Sequence, residues 1–222
     1  MSAGEKQRIA LARALAAEPD LFLLDEPFSA LDAHTRDQLR EELASFLERL
    51  SIPAIFVTHD HEDAMLLADR IIVLRGGTTV QSGSTQEIYY RPVNVFVARF
   101  VGVENILAGR IVKSSETHST IEVGEQVLRA AGPAATLGAN VHVGIRAEAV
   151  SIHPVVNAST PGVNRFAGRV TAVRVVGPLA TVQIDCGFPL KAYMLALQAR
   201  DLIPGRAVEA EIAAASVHLM FG

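Results

Sequence analysis

Leu21-Phe22-Leu23-Leu24-Asp25-Glu26-Pro27 is a short apolar run that ends in two adjacent carboxylates. Apolar residues without polar alternation read as a strand buried on both faces, as in a parallel sheet. Pro53-Ala54-Ile55-Phe56-Val57-Thr58 is a second run of the same kind, and His59 follows it. Between them lies a polar-rich amphipathic helix over 33–50, with Leu39, Leu43, Phe46, Leu47 and Leu50 at helical spacing. Asp60 can cap a further helix holding Ala64, Met65, Leu67 and Ala68. Residues 71–74 give a third strand, which Gly76-Gly77 turns into Thr78-Thr79-Val80. Alternating strands and helices predict a parallel α/β sheet. Upstream, Ser2-Ala3-Gly4-Glu5 has the form of a capping box. It opens a helix that carries Ile9, Leu11, Ala12, Leu15 and Ala16 and stops at Pro19-Asp20.

Ser84-Thr85-Gln86-Glu87 repeats the capping pattern ahead of a short helix that Pro92 ends, and another short helix spans 94–100. Beyond Gly102 the helical period disappears. Short β-rich runs follow at 106–112, 120–123, 141–145, 168–176, 181–185, 190–195 and 207–212, punctuated by Gly and Pro. That spacing predicts a small all-β barrel or a pair of them, with a linker at 155–163. Leu107-Ala108-Gly109-Arg110-Ile111-Val112 is echoed by Phe166-Ala167-Gly168-Arg169-Val170-Thr171, which suggests two related β units. The expected division is therefore an α/β part over 1–100 and a β-barrel over 101–222.

Composition agrees with two folded modules. Half of the 222 residues are hydrophobic, 20% are charged and the net charge is -4. This argues against a disordered chain and against a nucleic-acid partner. Residues 1–100 carry 10 Lys/Arg against 15 Asp/Glu, and the remainder carry 10 against 9. The single cysteine, Cys186, excludes an intrachain disulfide and fits a reducing compartment, where it reads as a small buried hydrophobe. No apolar window approaches the roughly 18 residues that span a bilayer. A cytoplasmic protein that reaches a membrane through a partner is the expectation.

The chemistry concentrates in the first sixty residues. A buried strand ending in Asp25-Glu26 delivers two carboxylates to the C-terminal edge of a parallel sheet, where open α/β folds bind ligands. Neighbouring acids suit phosphoryl transfer: one holds Mg²⁺ through water while the other orients or deprotonates the attacking water. The helix opened by Ser2-Ala3-Gly4 offers backbone N–H groups to a phosphate. Ser29-Ala30-Leu31-Asp32 makes a tight turn after the carboxylates, and His59 ends the neighbouring strand.

At these residues the chain resembles the ATP-binding subunits of ABC transporters. Met1-Ser2-Ala3-Gly4-Glu5, followed by Lys6-Gln7-Arg8, is similar to the signature motif, with Met1 in place of Leu and Ala3 in place of Gly. The run 21–25 with Glu26 resembles the Walker B strand and its catalytic glutamate, 29–32 the D-loop, and His59 the switch histidine. The resemblance implies that Asp25 binds Mg²⁺ through water, that Glu26 is the general base and that His59 contacts the γ-phosphate of ATP. It also implies that Ser2, Ala3, Gly4 and Glu5 face the nucleotide of an opposite subunit in a homodimer, with Asp32 communicating across that interface. No G-x-x-x-x-G-K-[ST] occurs in the sequence, nor the stretch that carries the Q-loop glutamine. The expectation is a chain cut at its signature motif and inactive alone.

The C-terminal part resembles the TOBE barrel appended to importer ATPases, on Val143-Gly144-Ile145-Arg146-Ala147-Glu148 and on Pro204-Gly205 with Ala215-Ser216-Val217-His218-Leu219. Gly102-Val103-Glu104-Asn105-Ile106-Leu107 and Asp185-Cys186-Gly187-Phe188-Pro189-Leu190 look like the molybdate/tungstate subgroup. Molybdate or tungstate is then a regulatory ligand, with Ser216, Lys191 and Thr181 as oxyanion candidates; Ala214 lies where related barrels often carry a lysine. A sugar, polyamine, sulfate or iron importer, or a non-catalytic binding or dimerising module, are the alternatives. The implied partners are integral-membrane permease subunits and, indirectly, a solute-binding protein.

Overall fold

The computed structural model describes residues 5, 9–10, 12–14, 16, 19–29, 31–50, 52–133, 136–154 and 162–221. The helix expected after Ser2 is seen at Glu5, 9–10 and 12–14, while most of the linker expected at 155–163 lies outside the described residues. The chain forms two compact units, Met1–Gln86 and Glu87–Gly222.

In the first unit, β1 (Phe22–Asp25) and β2 (Ala54–Val57) pair in parallel, with Phe22 opposite Ala54 and Asp25 opposite Val57. Helix α1 (Ala33–Leu50) covers one face of this pair. Its Leu39 and Leu43 pack with Phe28 and Leu31, and the half-buried Leu24 and Phe56 close the cluster. The other face differs from expectation: Leu23, Ile55 and Val57 are 71%, 53% and 57% exposed. The runs lack polar alternation, yet among the described residues one helical layer covers a two-stranded sheet, so only one face is sealed. Phe46, placed by periodicity on the apolar face of α1, is also exposed.

Helix α2 (His61–Leu67) starts at Asp60, whose side chain accepts the Glu62 N–H, a standard N-cap. β3 (Arg70–Arg75) does not extend the parallel sheet as expected. It folds back on β4 (Thr78–Ser84) as an antiparallel hairpin. The cause is the turn: Gly76 and Gly77 both have positive φ, 57° and 78°. Two such residues form a hairpin turn whose twist suits antiparallel strands.

Helix α3 (Thr85–Tyr90) precedes α4 (Val95–Phe100), which Asn94 caps by accepting the Val97 N–H. The boundary expected near Phe100 falls earlier, because 87–101 belongs to the β unit. Val97, Ala98 and Val101 are buried there. The Arg146 guanidinium lies 3.3 Å from the centroid of the Tyr89 ring and donates to the Tyr89 carbonyl at 2.7 Å. His218 donates through Nε2 to the Pro92 carbonyl at 2.8 Å.

The β unit is two five-stranded antiparallel sheets enclosing one apolar core. One contains β5 (Asn105–Ser114), β6 (His118–Val123), β7 (Gln126–Ala131) and β8 (Asn140–Ile145). The other contains β10 (Val163–Val176), β11 (Leu179–Asp185), β12 (Pro189–Leu195) and β13 (Ala207–Ala213). The fifth strands are exchanged. After β8 a 3-10 turn at Ala147–Ala149 carries the chain to β9 (Val150–His153), which pairs with β13. After β13 a 3-10 turn at Ala214–Ser216 leads to β14 (Val217–Met220), which pairs with β8. Ile121, Leu128, Val143 and Ile145 from one sheet meet Val182, Ile184, Leu190 and Ile212 from the other.

The echoed segments lie on β5 and β10, the central strands. A Cβ at Gly109 would lie 2.6 Å from Ile121 Cγ2, and one at Gly168 would lie 2.7 Å from the Asp185 carbonyl and Cys186 Sγ. Glycine is needed at both because a neighbouring strand crowds the backbone. Register shifts follow in matching places, between Ile111 and Lys113 and between Val170 and Ala172. The likeness extends to buried asparagines. Asn105 Oδ1 accepts the Lys191 N–H at 2.6 Å, while its Nδ2 donates to the carbonyls of Lys191 and Ile145. Asn164 Oδ1 accepts the Arg129 N–H at 2.7 Å, and its Nδ2 donates to the carbonyls of Arg129 and Ile212. Each side chain thus pins an edge strand of the opposite sheet. The chain is an α/β part of nucleotide-binding type followed by an all-β, OB-like barrel, and no described helix is long and apolar enough to cross a membrane.

Candidate functional site

The parallel pairing of β1 and β2 brings their C-terminal ends side by side. Glu26 continues the ladder by donating its N–H to the Val57 carbonyl at 2.8 Å. Among the described residues it is the only non-glycine with positive φ, at 46°. A residue with a Cβ is strained in that region, and such strain concentrates at functional sites. The turn is fixed from behind, since the Ser29 N–H and hydroxyl both donate to the Glu26 carbonyl, at 3.3 and 3.1 Å.

This bend sets the Glu26 carboxylate against His59 at the end of β2. His59 Nδ1 and Glu26 Oε1 are 2.6 Å apart. The His59 side chain is 78% exposed, so Nε2 is open to an incoming group. The Glu26 hydrogen bond and charge hold the His59 pKa above its ordinary value. Asp25 is exposed at the end of β1.

Asp32 begins α1 and accepts the Thr35 N–H through Oδ1 at 3.1 Å. That bond holds its carboxyl below the usual range. Asp32 is therefore a helix cap as well as an exposed carboxylate beside the turn. Glu5 is helical and exposed, while Ser2, Ala3 and Gly4 lie outside the described residues.

Hard oxygen donors suit Mg²⁺, which keeps several waters and takes few protein ligands. Among the described residues no group of three or more His, Cys, Asp or Glu could cage a metal. The exposed Asp25 carboxylate is a hard oxygen donor of the kind such an ion takes.

The sequence reading missed what supports His59. Arg40 is buried on α1, and its guanidinium meets Asp63 through Nε, Asp60 through Nη2 at 2.9 Å, and both Glu62 and Asp37 through Nη1 at 3.1 Å. Burial pulls the Arg40 pKa down, but Asp63, Asp60 and Glu62 outweigh it and raise it. Burial likewise pushes the Asp60 carboxyl up, and the Glu62 amide and Arg40 hold it below its usual value. Thr58 donates its hydroxyl to Asp63 at 2.9 Å and accepts the Asp60 N–H at 3.0 Å. Two features of the sequence pointed here: Arg36 and Arg40 flank Leu39 on the inward face of α1, and acids crowd at 60, 62 and 63.

The three oxyanion candidates fall in two places. Thr181 pairs across the sheet with Tyr193, and Lys191 with Gln183, so these two share a face of β11 and β12. Ser216 ends the 3-10 turn that packs beside β7. Among the described residues, no hydrogen bond or ion pair joins Ser216 to the other two. Cys186 is buried, and burial pushes its thiol up to about 11.

Comparison with known proteins extends this picture. A family model described as ABC transporter matches residues 1–29, and one described as TOBE domain matches residues 143–220. The sulfate/thiosulfate import ATP-binding protein CysA 2 of Chromobacterium violaceum is 39% identical, over 98% of this chain and 59% of its own length. The sn-glycerol-3-phosphate import ATP-binding protein UgpC of Escherichia coli is 41% identical over 68% of this chain and 43% of its own. The spermidine/putrescine import ATP-binding protein PotA of Nitrosomonas europaea is 37% identical over 93% of this chain and 57% of its own. The chain thus spans about half the length of the curated relatives it matches. Their names do not support the expected likeness to molybdate and tungstate subunits. With strand-end carboxylates, a paired histidine and a C-terminal barrel in that order, the chain belongs to the ABC transporter family and is similar to import ATP-binding proteins that carry a TOBE domain.

Proposed function

We propose that this chain supplies the hydrolytic edge and the regulatory barrel of an ATP-driven importer subunit. The observation that carries the reading is the Glu26–His59 pair, made by a strained turn at adjoining ends of two parallel strands. Glu26 is the general base that takes a proton from the attacking water, and His59 presents Nε2 to the terminal phosphate and keeps Glu26 oriented. Mg²⁺ held through water by Asp25 supplies charge neutralisation at the phosphates when ATP is bound. Ser2, Ala3, Gly4 and Glu5 form the edge that meets the nucleotide of a second subunit in a homodimer, and Asp32 lies at that interface. The permease and a solute-binding protein are the remaining partners, and the subunit works at the cytoplasmic face of the membrane.

The solute is a small one, with sulfate or thiosulfate first, because the relative matching 98% of this chain carries that name. Glycerol phosphate, polyamine and ferric ion follow. The barrel is a dimerising and regulatory module. Glu26→Gln, made in the subunit extended to include a phosphate-binding loop, should abolish ATP turnover while ATP still drives dimerisation. Undiminished hydrolysis in that variant would remove Glu26 from its role and the reading with it.

A further inference from the structure

His59 is exposed, and among the described residues Glu26 is the side chain hydrogen-bonded to its ring, so packing does not define where that ring points. Its backbone is fixed instead, from both sides. Thr58 before it and Asp60 after it are tied to each other and to Asp63. Asp60 and Asp63 are gripped in turn by Arg40, whose three guanidinium nitrogens are all bonded. One turn earlier on α1, Arg36 donates through Nη2 to the Leu31 carbonyl at 3.1 Å and through Nη1 to Asp60 Oδ2 at 3.4 Å. Asp60 Oδ2 therefore serves both arginines. A continuous chain of bonds runs from Leu31, in the turn that follows Glu26, through Arg36, Asp60, Arg40 and Asp63 to Thr58.

We propose that Arg40, with Arg36, is a positioning residue that sets the His59 ring against Glu26 and couples it to the turn at 29–32. The proposal rests on the hydrolytic reading of the Glu26–His59 pair and adds to it the device that aligns the pair. A planar five-donor fork is needed, because one side chain must hold carboxylates at 37, 60, 62 and 63 in fixed directions. A lysine would retain the charge without the geometry. The arrangement also implies a route for information: movement of the D-loop-like turn pulls on Arg36 through the Leu31 carbonyl and reaches His59 without passing through nucleotide.

The test uses the chain itself, labelled with ¹⁵N, and the imidazole nitrogen shifts of His59 near neutral pH, assigned by their loss in His59→Gln. The unaltered chain should show His59 with Nδ1 protonated and hydrogen-bonded. Arg40→Gln should move those shifts to the values of an unconstrained histidine while the other histidines stay put, and Arg40→Lys should restore them only in part. A folded Arg40→Gln protein with unchanged His59 shifts overturns the proposal. If that variant does not fold, Thr58→Val decides. It cuts the hydroxyl link but leaves the arginine and its carboxylates in place, and the same displacement is expected; unchanged shifts again overturn the proposal. No nucleotide enters the experiment, so a failed hydrolytic role for Glu26 and a failed positioning role for Arg40 give different results.

Discussion

The two units hold themselves together by opposite means. In the β unit the inner faces of two sheets meet in a hydrocarbon core, and the buried Asn105 and Asn164 are hydrogen-bonded through both amide atoms. In the first unit the apolar cluster is small, Leu23, Ile55 and Val57 on one face of the parallel pair are exposed, and a buried arginine collects four acids. Two histidines register the contrast. His59, exposed beside Glu26, is raised, whereas burial lowers His218 on β14. The first unit keeps the Glu26 turn and the His59 ring at its surface above a buried ionic cluster, whereas the barrel core is apolar and its buried polar groups are paired.

The contrast breaks most readily at Arg40. Arg40→Ala leaves Asp63 buried without its cation and should destabilise the first unit by about 3–5 kcal/mol. All three tyrosines, 89, 90 and 193, belong to the second unit. Amide exchange over 33–67 should therefore accelerate while tyrosine fluorescence unfolds at an unchanged midpoint; slow exchange would show that the ionic cluster contributes little. Leu128→Ala should do the reverse. It removes a fully buried side chain from the barrel core, costs about 3 kcal/mol, and lowers the denaturant midpoint read by tyrosine while exchange over 33–67 stays the same. Asn164→Ala strands the Arg129 N–H and carbonyl and should cost about 1–3 kcal/mol in the barrel. Asn105→Ala should match it if the two clamps are equivalent, and unequal losses would break the parallel between the halves.

The smallest effect sharpens the comparison by pH. Burial holds the folded pKa of His218 below its unfolded value near 6.5. Its contribution to barrel stability is therefore present above about pH 6.5 and is lost as pH falls toward the folded pKa. His218→Gln should flatten that part of the stability profile. An unchanged slope between pH 7 and pH 5 in the variant would assign the loss to other groups.

Much of this arrangement was legible from residue order. Strand-end acids after an apolar run, a histidine after the next run and a cap at Asp60 are local patterns, and the structure places them locally. The echo around Gly109 and Gly168 was legible because close strand approach permits only glycine there. What stayed hidden depends on partners far along the chain. Nothing near Asn105 announces Lys191, and nothing near Arg40 announces the Thr58 hydroxyl. The exposed face of β1 and β2 was misread because an unbroken apolar run looks the same whether one layer or two covers it. The short strands β7, β9 and β14 were missed because two of them follow alanine-rich turns and owe their pairing to the opposite sheet. The hairpin of β3 and β4 was taken into the parallel sheet because paired glycines mark a turn without stating where the returning strand will pair.

The exchange of β9 and β14 has a consequence for biosynthesis. As the ribosome releases the barrel, the sheet built on β5 is complete but for the strand that flanks β8, and that strand is supplied by Val217–Met220. At ordinary translation speed the wait is on the order of ten seconds. Throughout it, the β8 edge presents unpaired N–H and carbonyl groups of the kind that recruit a stray strand. The nascent barrel is thus most vulnerable to mispairing with a neighbouring copy on the same polysome, just before its final strand emerges.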